Sequence, residues 1–185
     1  MKLKIASKWY LFLIVTVFGF IIDLLTKYWA SSKLPLGIPV KVIGEAAQFL
    51  FVYNKAAVFG MDPRHFFPSF PLNGFFFVFN TIAMILILIY FNALKKEEKL
   101  MQWGISLVMP GALGNLFDRI IHPHLGVVDF IRLGVSETLY WPIFNIADVY
   151  VTVAVILICI NFAMEGKNKK AGKAIESVQE NGQMP

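Results

Sequence analysis

Four stretches of the chain are almost entirely apolar, and each is close to the length of a transmembrane helix. They cover residues 9–30, 71–92, 100–120 and 141–164. An α-helix of about 20 apolar residues crosses about 30 Å of hydrocarbon at 1.5 Å per residue. The third stretch is the weakest, because Pro110 and several glycines interrupt it. The pattern therefore predicts four membrane-spanning helices.

The segments outside these stretches have a different character. Residues 31–70 form a long connection, and the alternation of apolar positions with glycines and aromatics predicts short β-strands at 36–53. The aromatic, proline-rich residues 61–70 predict a segment that lies at the membrane interface. The polar residues 165–185 predict a disordered tail. The predicted fold class is a single domain over residues 1–164, with an all-α membrane core of four helices, a small extracytoplasmic β-sheet and an interfacial segment.

The composition supports a membrane protein. The 185 residues are 57% hydrophobic and only 16% charged, which excludes an ordinary water-soluble domain. A signal peptide is the alternative for the first stretch, but its apolar run is long and no small-residue cleavage pattern follows. The net charge of +5 does not indicate a nucleic-acid partner, because the basic residues cluster near the chain ends and in one short loop.

The distribution of lysines predicts the orientation of the helices. Lysines are dense before the first stretch, between the second and third, and after the fourth, at positions 2, 4, 8, 95, 96, 99, 167, 169, 170 and 173. Loops rich in Lys and Arg stay in the cytoplasm. Both termini are therefore predicted to be cytoplasmic, and the connections 31–70 and 121–140 are predicted to lie outside.

Charged and amide side chains interrupt the apolar stretches near their predicted outer ends. A charge within hydrocarbon costs at least about 2.5–3.5 kcal/mol, so such residues are candidates for function. The candidates are Asp23, Lys27, Asn115, Asp118, Arg119, Asp129, Asn145 and Asp148. Structural explanations exist for several of them: a helical ion pair for Asp23 with Lys27, a helix-end pair or cap for Asp118, and an interhelical hydrogen bond for Asn145.

Asp129 and Asp148 are harder to explain as structural residues. Asp148 has no cation three or four residues away, and Arg132, three residues after Asp129, lies in a predicted loop or strand rather than in a helix. Asp148 lies seven residues into the predicted fourth span, and Asp129 follows the third. Two carboxyl groups in one site would share a proton, so that one acts as a general base on water and the other as an acid. The sequence alone leaves open whether the two residues meet.

Other chemistries find less support. The histidines, His65, His122 and His124, lie outside any HExxH helix, and no GxSxG motif occurs. Cys159 lies within an apolar helix, where a thiol is normally inert. GALGN follows no strand, and the glycines of the third stretch instead predict close approach of another helix. No metal and no cofactor are predicted. A proton-relay or transport protein and a non-catalytic assembly subunit remain as alternatives.

Five sequence blocks together resemble a known family. They are DLLTK at 23–27, NKAAVFG at 54–60, PGALGNLFDR at 110–119, GVVDF at 126–130 and FNIAD at 144–148. In this order, and over nearly all of residues 9–164, the chain resembles the bacterial lipoprotein signal peptidases, also called signal peptidase II. The resemblance implies an aspartic endopeptidase that removes signal peptides from prolipoproteins by cutting before a diacylglyceryl-modified cysteine. It also implies that Asp129 and Asp148 are the catalytic pair.

The resemblance further implies roles for the other candidates. The positions that match substrate-cleft residues of the family are Asn54, Gly111, Asn115, Arg119 and Asn145. Asp23 and Lys27 match a supporting pair, and Asp118 is expected to cap its helix or orient Arg119. The expected location is the bacterial cytoplasmic (inner) membrane, with the site toward the outer leaflet. The expected partners are diacylglyceryl-modified prolipoproteins and membrane lipids, with no nucleic acid, and the expected state is a monomer. The sequence departs from the usual family residues at Ala56, Val58 and Pro110.

Overall fold

The computed structural model describes residues 7–55, 71–136 and 139–181. Its elements, in chain order, are α1 (Ser7–Lys33), β1 (Val40–Ile43), β2 (Ala47–Asn54), α2 (Leu72–Ala93), α3 (Lys99–Ile121), β3 (Val127–Leu133) and α4 (Ile146–Asn181). The predicted fold class, four helices with a small sheet, is confirmed. The predicted interfacial segment at 61–70 and the departures Ala56 and Val58 lie outside the described residues.

The fourth helix differs from its prediction at both ends. It begins at Ile146 rather than at residue 141, because the chain before it is extended and Phe144 pairs with Ile131 of β3 through N–H···O bonds of 2.8 and 3.0 Å. Asp148 therefore lies in the first turn of α4 and not seven residues into the helix. The helix continues to Asn181, so residues 165–181, where disorder was predicted, are helical. Their Ala, Lys, Glu and Gln residues favour a helix, and the segment contains no proline.

The third helix is the centre of the bundle. Within residues 7–55, 71–136 and 139–181, the helical segments long and apolar enough to cross a membrane are Ser7–Lys33, Gly74–Ala93 and Ile146–Lys167, all outside α3. Helix α3 nevertheless has 23 residues, enough to span about 35 Å. It packs against α1, α2 and α4 and buries the polar residues Gln102, Ser106 and Asp118. Because these polar side chains are buried inside the protein, α3 can contain residues that an isolated span could not.

Small residues allow α3 to approach its neighbours closely. A Cβ added to Gly111 would lie 2.7 Å from the carbonyl oxygen of Ala147 in α4, and one added to Gly104 would lie 2.9 Å from Ile158. On the other side, a Cβ at Gly19 of α1 would lie 2.8 Å from the ring of Pro110. The predicted close approach of helices at the α3 glycines is confirmed.

The two ends of the bundle are built differently. One end, called the sheet end below, carries the sheet on a cluster formed by Ala30, Phe51, Val128 and Phe130. The opposite end has a larger apolar cluster around Phe12, Phe91 and Met101. There, Lys8 Nζ donates hydrogen bonds to the last carbonyl groups of α2, including that of Phe91 at 3.1 Å. This contact joins the start of α1 to the end of α2.

The sheet has three antiparallel strands in the order β1-β2-β3. Its third strand comes from the connection between α3 and α4, whereas the sequence placed the strands between the first two helices only. The register pairs Val52 with Asp129 and Asn54 with Val127. Asn54 and Asp129 are therefore diagonal neighbours on one face of the sheet. This register brings an amide from β2 beside a carboxyl group from β3.

Candidate active site

Asn145 and Asp148 form a reciprocal cap at the start of α4. The side-chain oxygen of Asn145 accepts the backbone N–H of Asp148 at 3.0 Å. The Oδ2 atom of Asp148 accepts the backbone N–H of Asn145 at 3.1 Å. This is the geometry of a capping box, in which the residue before the helix and the third helical residue satisfy each other's N–H groups. The local helix start therefore fixes the carboxyl group of Asp148.

Asp129 lies beside this cap, on β3. Its Oδ1 atom accepts a hydrogen bond from Asn145 Nδ2 at 2.7 Å, and its Oδ2 atom accepts one from Asn54 Nδ2 at 2.8 Å. The side chain of Asn145 thus contacts both aspartates: its amide nitrogen reaches Asp129 and its oxygen reaches the backbone of Asp148. The two predicted catalytic residues are brought into one site, although they belong to different elements.

Asn115 of α3 connects to the second aspartate. Its Nδ2 atom donates to Asp148 Oδ1 at 2.9 Å. Its Oδ1 atom accepts from Asn145 Nδ2 at 3.1 Å and from Lys27 Nζ at 3.0 Å. Asn115 therefore links Lys27, on α1, to the carboxyl group of Asp148, on α4, through two hydrogen bonds.

Lys27 is buried between two further carboxylates. Its Nζ lies 2.8 Å from Asp23 Oδ2 and 2.9 Å from Asp118 Oδ2, and all three side chains are at most 3% exposed. The predicted pair of Asp23 with Lys27 is thus a three-residue bridge that also includes Asp118. A Cβ at Gly114 would collide with the carboxylate of Asp23, so glycine is needed there for α1 to reach this contact.

The surroundings of Asp129 favour its neutral form. Burial, followed by the negative charge of Asp148, raises the pKa of Asp129 from 3.8 to about 7, against the smaller lowering effects of Asn54, Asn145 and Lys27. These effects keep the carboxyl group of Asp129 largely protonated below about pH 7. A carboxyl group in this state can donate a proton near neutral pH.

Arg119 and Gly111 occupy different surroundings. The guanidinium of Arg119 lies 4.2 Å from the ring centre of Phe76 on α2, and it interacts electrostatically with Asp129 and Asp148. Gly111, expected to line the cleft, instead lies in the contact between α3 and α4, against Ala147. The structure thus places Arg119 at the site but places Gly111 where it permits helix packing.

Gly126 is a site-building residue that the sequence analysis did not single out. Its φ of 96° lies in the left-handed region, and a Cβ there would collide with the carbonyl oxygen of Asn54. The close approach aligns the start of β3 with the end of β2. The signal in the sequence was the glycine that opens the GVVDF block.

The hydrogen-bond donors to the two aspartates include the side-chain amides of three asparagines and the backbone N–H of Asn145. In residues 7–55, 71–136 and 139–181, no three His, Cys, Asp or Glu side chains are grouped so that they could hold a metal ion. Both carboxyl groups instead accept hydrogen bonds from asparagine side chains. The chemistry available from these residues is proton transfer to and from water.

Comparison with known proteins identifies several similar chains. A family model described as signal peptidase (SPase) II matches residues 15–164. The lipoprotein signal peptidase of Clostridium novyi (strain NT) is 35% identical over 155 residues, covering 83% of this chain and 98% of that protein. The one from Clostridium tetani (strain Massachusetts / E88) is 36% identical over 150 residues, covering 80% and 89%. A solved bacterial membrane enzyme, determined by the in meso method at 2.3 Å, is 32% identical with a TM-score of 0.73, covering 85% of this chain and 90% of its own.

Proposed function

The chain belongs to the signal peptidase II family, and we propose from this premise that it removes signal peptides from prolipoproteins with an aspartate pair. The substrate is a prolipoprotein that carries a diacylglyceryl-modified cysteine, and the bond cleaved is the one before that cysteine. The observation that carries the proposal is the shared contact of Asn145 with Asp129 and Asp148. That contact supports a catalytic pair in which one proton is held between two carboxyl groups.

The two aspartates have different roles in the proposed reaction. Asp129 holds the proton near neutral pH, because its pKa is about 7. Asp148 is half-buried and is the base that takes a proton from water as the water oxygen attacks the scissile carbonyl carbon. Asp129 donates its proton to the carbonyl oxygen. On collapse, Asp129 takes that proton back, Asp148 gives its proton to the leaving nitrogen, and the pair returns to its starting state.

The asparagines and the arginine prepare the site for this chemistry. Asn54 and Asn115 each donate to one aspartate and hold its oxygens in place. Arg119 interacts electrostatically with both aspartates and limits the cost of negative charge in the site. Fixed dipoles and charges of this kind need no reorganisation when the transition state forms.

The location of the site suits a lipid-modified substrate. The proposed orientation places the sheet end outside the cytoplasmic membrane and both termini inside, in agreement with the positions of the lysines. The aspartates then lie where the outer leaflet meets water, so acyl chains can stay in lipid while the peptide bond reaches the site. We propose prolipoproteins and membrane lipids as partners of a monomeric enzyme.

A transport or proton-relay protein would need ionisable groups through the depth of the membrane. Among the buried residues that the structure describes, the ionisable ones are Asp23, Lys27, Asp118 and Asp129. All four belong to the site network at the sheet end. The distribution favours a localised reaction over a pathway.

The proposal is tested by incubating the purified full chain with a synthetic peptide that carries a diacylglyceryl cysteine, and by identifying the new N-terminus by mass spectrometry. We expect cleavage before the modified cysteine. Asp129→Asn and Asp148→Asn should each lower turnover by about 10²–10⁴-fold while the protein still binds the peptide. Glu45→Gln, which changes a carboxylate of the outer turn, serves as the matched control and should cleave normally. Wild-type turnover in either aspartate variant would refute the aspartic mechanism.

A further inference from the structure

The bridge around Lys27 reaches both aspartates through the backbone. The Oδ1 atom of Asp23 accepts the backbone N–H of Ala147, the residue before Asp148, at 2.9 Å. The Oδ2 atom of Asp118 accepts the backbone N–H of Val128, the residue before Asp129, at 3.1 Å. Each carboxylate of the bridge therefore accepts the backbone N–H of the residue that directly precedes one aspartate of the pair.

We propose that Lys27 is a positioning residue for the catalytic pair. By joining Asp23 to Asp118, it fixes the distance between the two backbone segments that carry the aspartates. This inference rests on the proposed function. It goes further than support of the fold, because it assigns to Lys27 an effect on turnover in protein that is already folded. Lys27 acts through its partners Asp23, Asp118 and Asn115 rather than on the carboxyl groups of the pair directly.

The geometry explains why a lysine serves this purpose. An ammonium group has three N–H donors, and Lys27 has an acceptor for each: Asp23, Asp118 and the Oδ1 atom of Asn115. Through Asn115 the third bond continues to Asp148. Lys27 is thus linked to the aspartate pair by three separate routes.

The groups that Lys27 joins belong to four different elements of the fold. Asp129 lies on strand β3 and Asp148 on helix α4, while the bridge residues lie on α1 and α3. Without the ammonium group, the carboxylates of Asp23 and Asp118 would repel each other inside the protein. The two backbone segments that they hold would then move apart. Displacement by about 1 Å is enough to cost about 10²-fold in rate.

The test compares two Lys27 variants with a matched lysine. Lys27→Met removes the bridge, and Lys27→Met with Asp118→Asn removes it while keeping the summed charge of the three groups. The asparagine oxygen can still accept the N–H of Val128. Lys8→Met is the control: it removes a lysine that likewise donates to three acceptors, here backbone carbonyl groups, at the opposite end of the same helix. Turnover is measured per folded molecule, and binding is measured with a non-cleavable lipidated peptide.

We expect both Lys27 variants to lose about 10- to 100-fold in kcat, with peptide affinity changed less than about threefold. Lys8→Met should reduce thermal stability but leave kcat within about twofold. The basic limb of the pH–rate profile should move to higher pH in Lys27→Met, since the charge of Lys27 lowers the pKa of Asp129. The charge-matched double variant should restore the limb but not kcat.

Several outcomes decide against the inference. Wild-type kcat in folded Lys27→Met overturns it, and so does full recovery of kcat in the double variant, which would make charge alone sufficient. If Lys27→Met gives no folded protein, Lys27→Arg is used in its place. Wild-type kcat in both Lys27→Arg and the double variant would then overturn the inference. Failure of the wild-type chain to cleave any lipidated peptide would refute the proposed function instead, so the two failures are distinguishable.

Discussion

The side chains of Asn145 and Asp148 hold each other in place, and this cap also orients the amide of Asn145 toward Asp129. The bonds are 3.0 and 3.1 Å within the cap and 2.7 Å from Asn145 Nδ2 to Asp129 Oδ1. A single asparagine therefore performs two separable tasks. Its oxygen starts a helix, and its nitrogen holds a carboxyl group of the pair.

Substitution of Asn145 should separate these tasks. Asn145→Ser keeps a good helix cap but cannot place an N–H₂ group against Asp129, so stability should stay near wild type while turnover falls about 10²-fold. Asn145→Ala should lose the same turnover and, in addition, about 0.5–2 kcal/mol of stability. Thermal unfolding and peptide cleavage measure the two effects. Equal stability losses in both variants would show that the cap does not contribute as described.

A second prediction concerns Gly126. Gly126→Ala should destabilise the protein and lower turnover, because the new Cβ collides with the backbone of Asn54. The side-chain amide of Asn54 donates to Asp129, so this collision would displace a contact of the pair. Gly37→Ala is the matched control: its φ of 73° is also left-handed, but a Cβ there has nothing within 4 Å. Both variants carry backbone strain of about 1–3 kcal/mol, and only Gly126→Ala should reduce turnover per folded molecule. Equal turnover in the two would contradict the role of this close approach.

The helices were largely predictable from the sequence, because apolar length determines how a helix crosses a membrane. The start of α4 was not predictable, since the apolar pattern of residues 141–144 does not distinguish a helix from an extended segment. Their pairing with β3 makes them extended. The contribution of β3 to the sheet was missed for the same reason. Pairing between distant strands depends on the register that tertiary contacts select.

The site was partly predictable. The spacing of Asp23 and Lys27 indicated an ion pair within one helix, which the structure contains. Nothing in the spacing showed that Asp118, on another helix, completes the bridge. The meeting of Asp129 and Asp148 was expected from the family resemblance, because sequence distance does not reveal which elements pack together.

The proposed orientation gives a third prediction. Single cysteines are introduced at Lys96 and at Lys41 in a Cys159→Ser background, and intact cells are treated with a maleimide that cannot cross the membrane. Lys41→Cys should be labelled and Lys96→Cys should be protected, because Lys-rich loops stay in the cytoplasm. Labelling of both sites after the cells are opened is the control. The reverse pattern in intact cells would invert the proposed orientation and place the aspartates on the inner side.

The last prediction concerns the pH dependence of stability. The folded pKa of Asp129 is about 7 against an ordinary value of 3.8, so the folded protein binds more protons than the unfolded chain between these values. The contribution of Asp129 is therefore fully present below about pH 4 and is lost as the pH rises through about 7. Asp129→Asn is neutral throughout, so its advantage in unfolding free energy over the wild type should grow over this range, by at most about 4 kcal/mol.

Glu45 provides a control of opposite sign for this experiment. A hydrogen bond from Lys41 lowers the pKa of Glu45 below its usual 4.5, and a weaker effect from Tyr140 acts in the same direction. The stability that Glu45 contributes is therefore present above pH 4.5 and is lost as the pH falls through its folded pKa. The stability difference between Glu45→Gln and wild type should vanish in acid, whereas the difference for Asp129→Asn should widen toward neutral pH. A pH-independent difference for Asp129→Asn would mean that Asp129 is not held as a neutral acid, and the assignment of Asp148 as the base would lose its support.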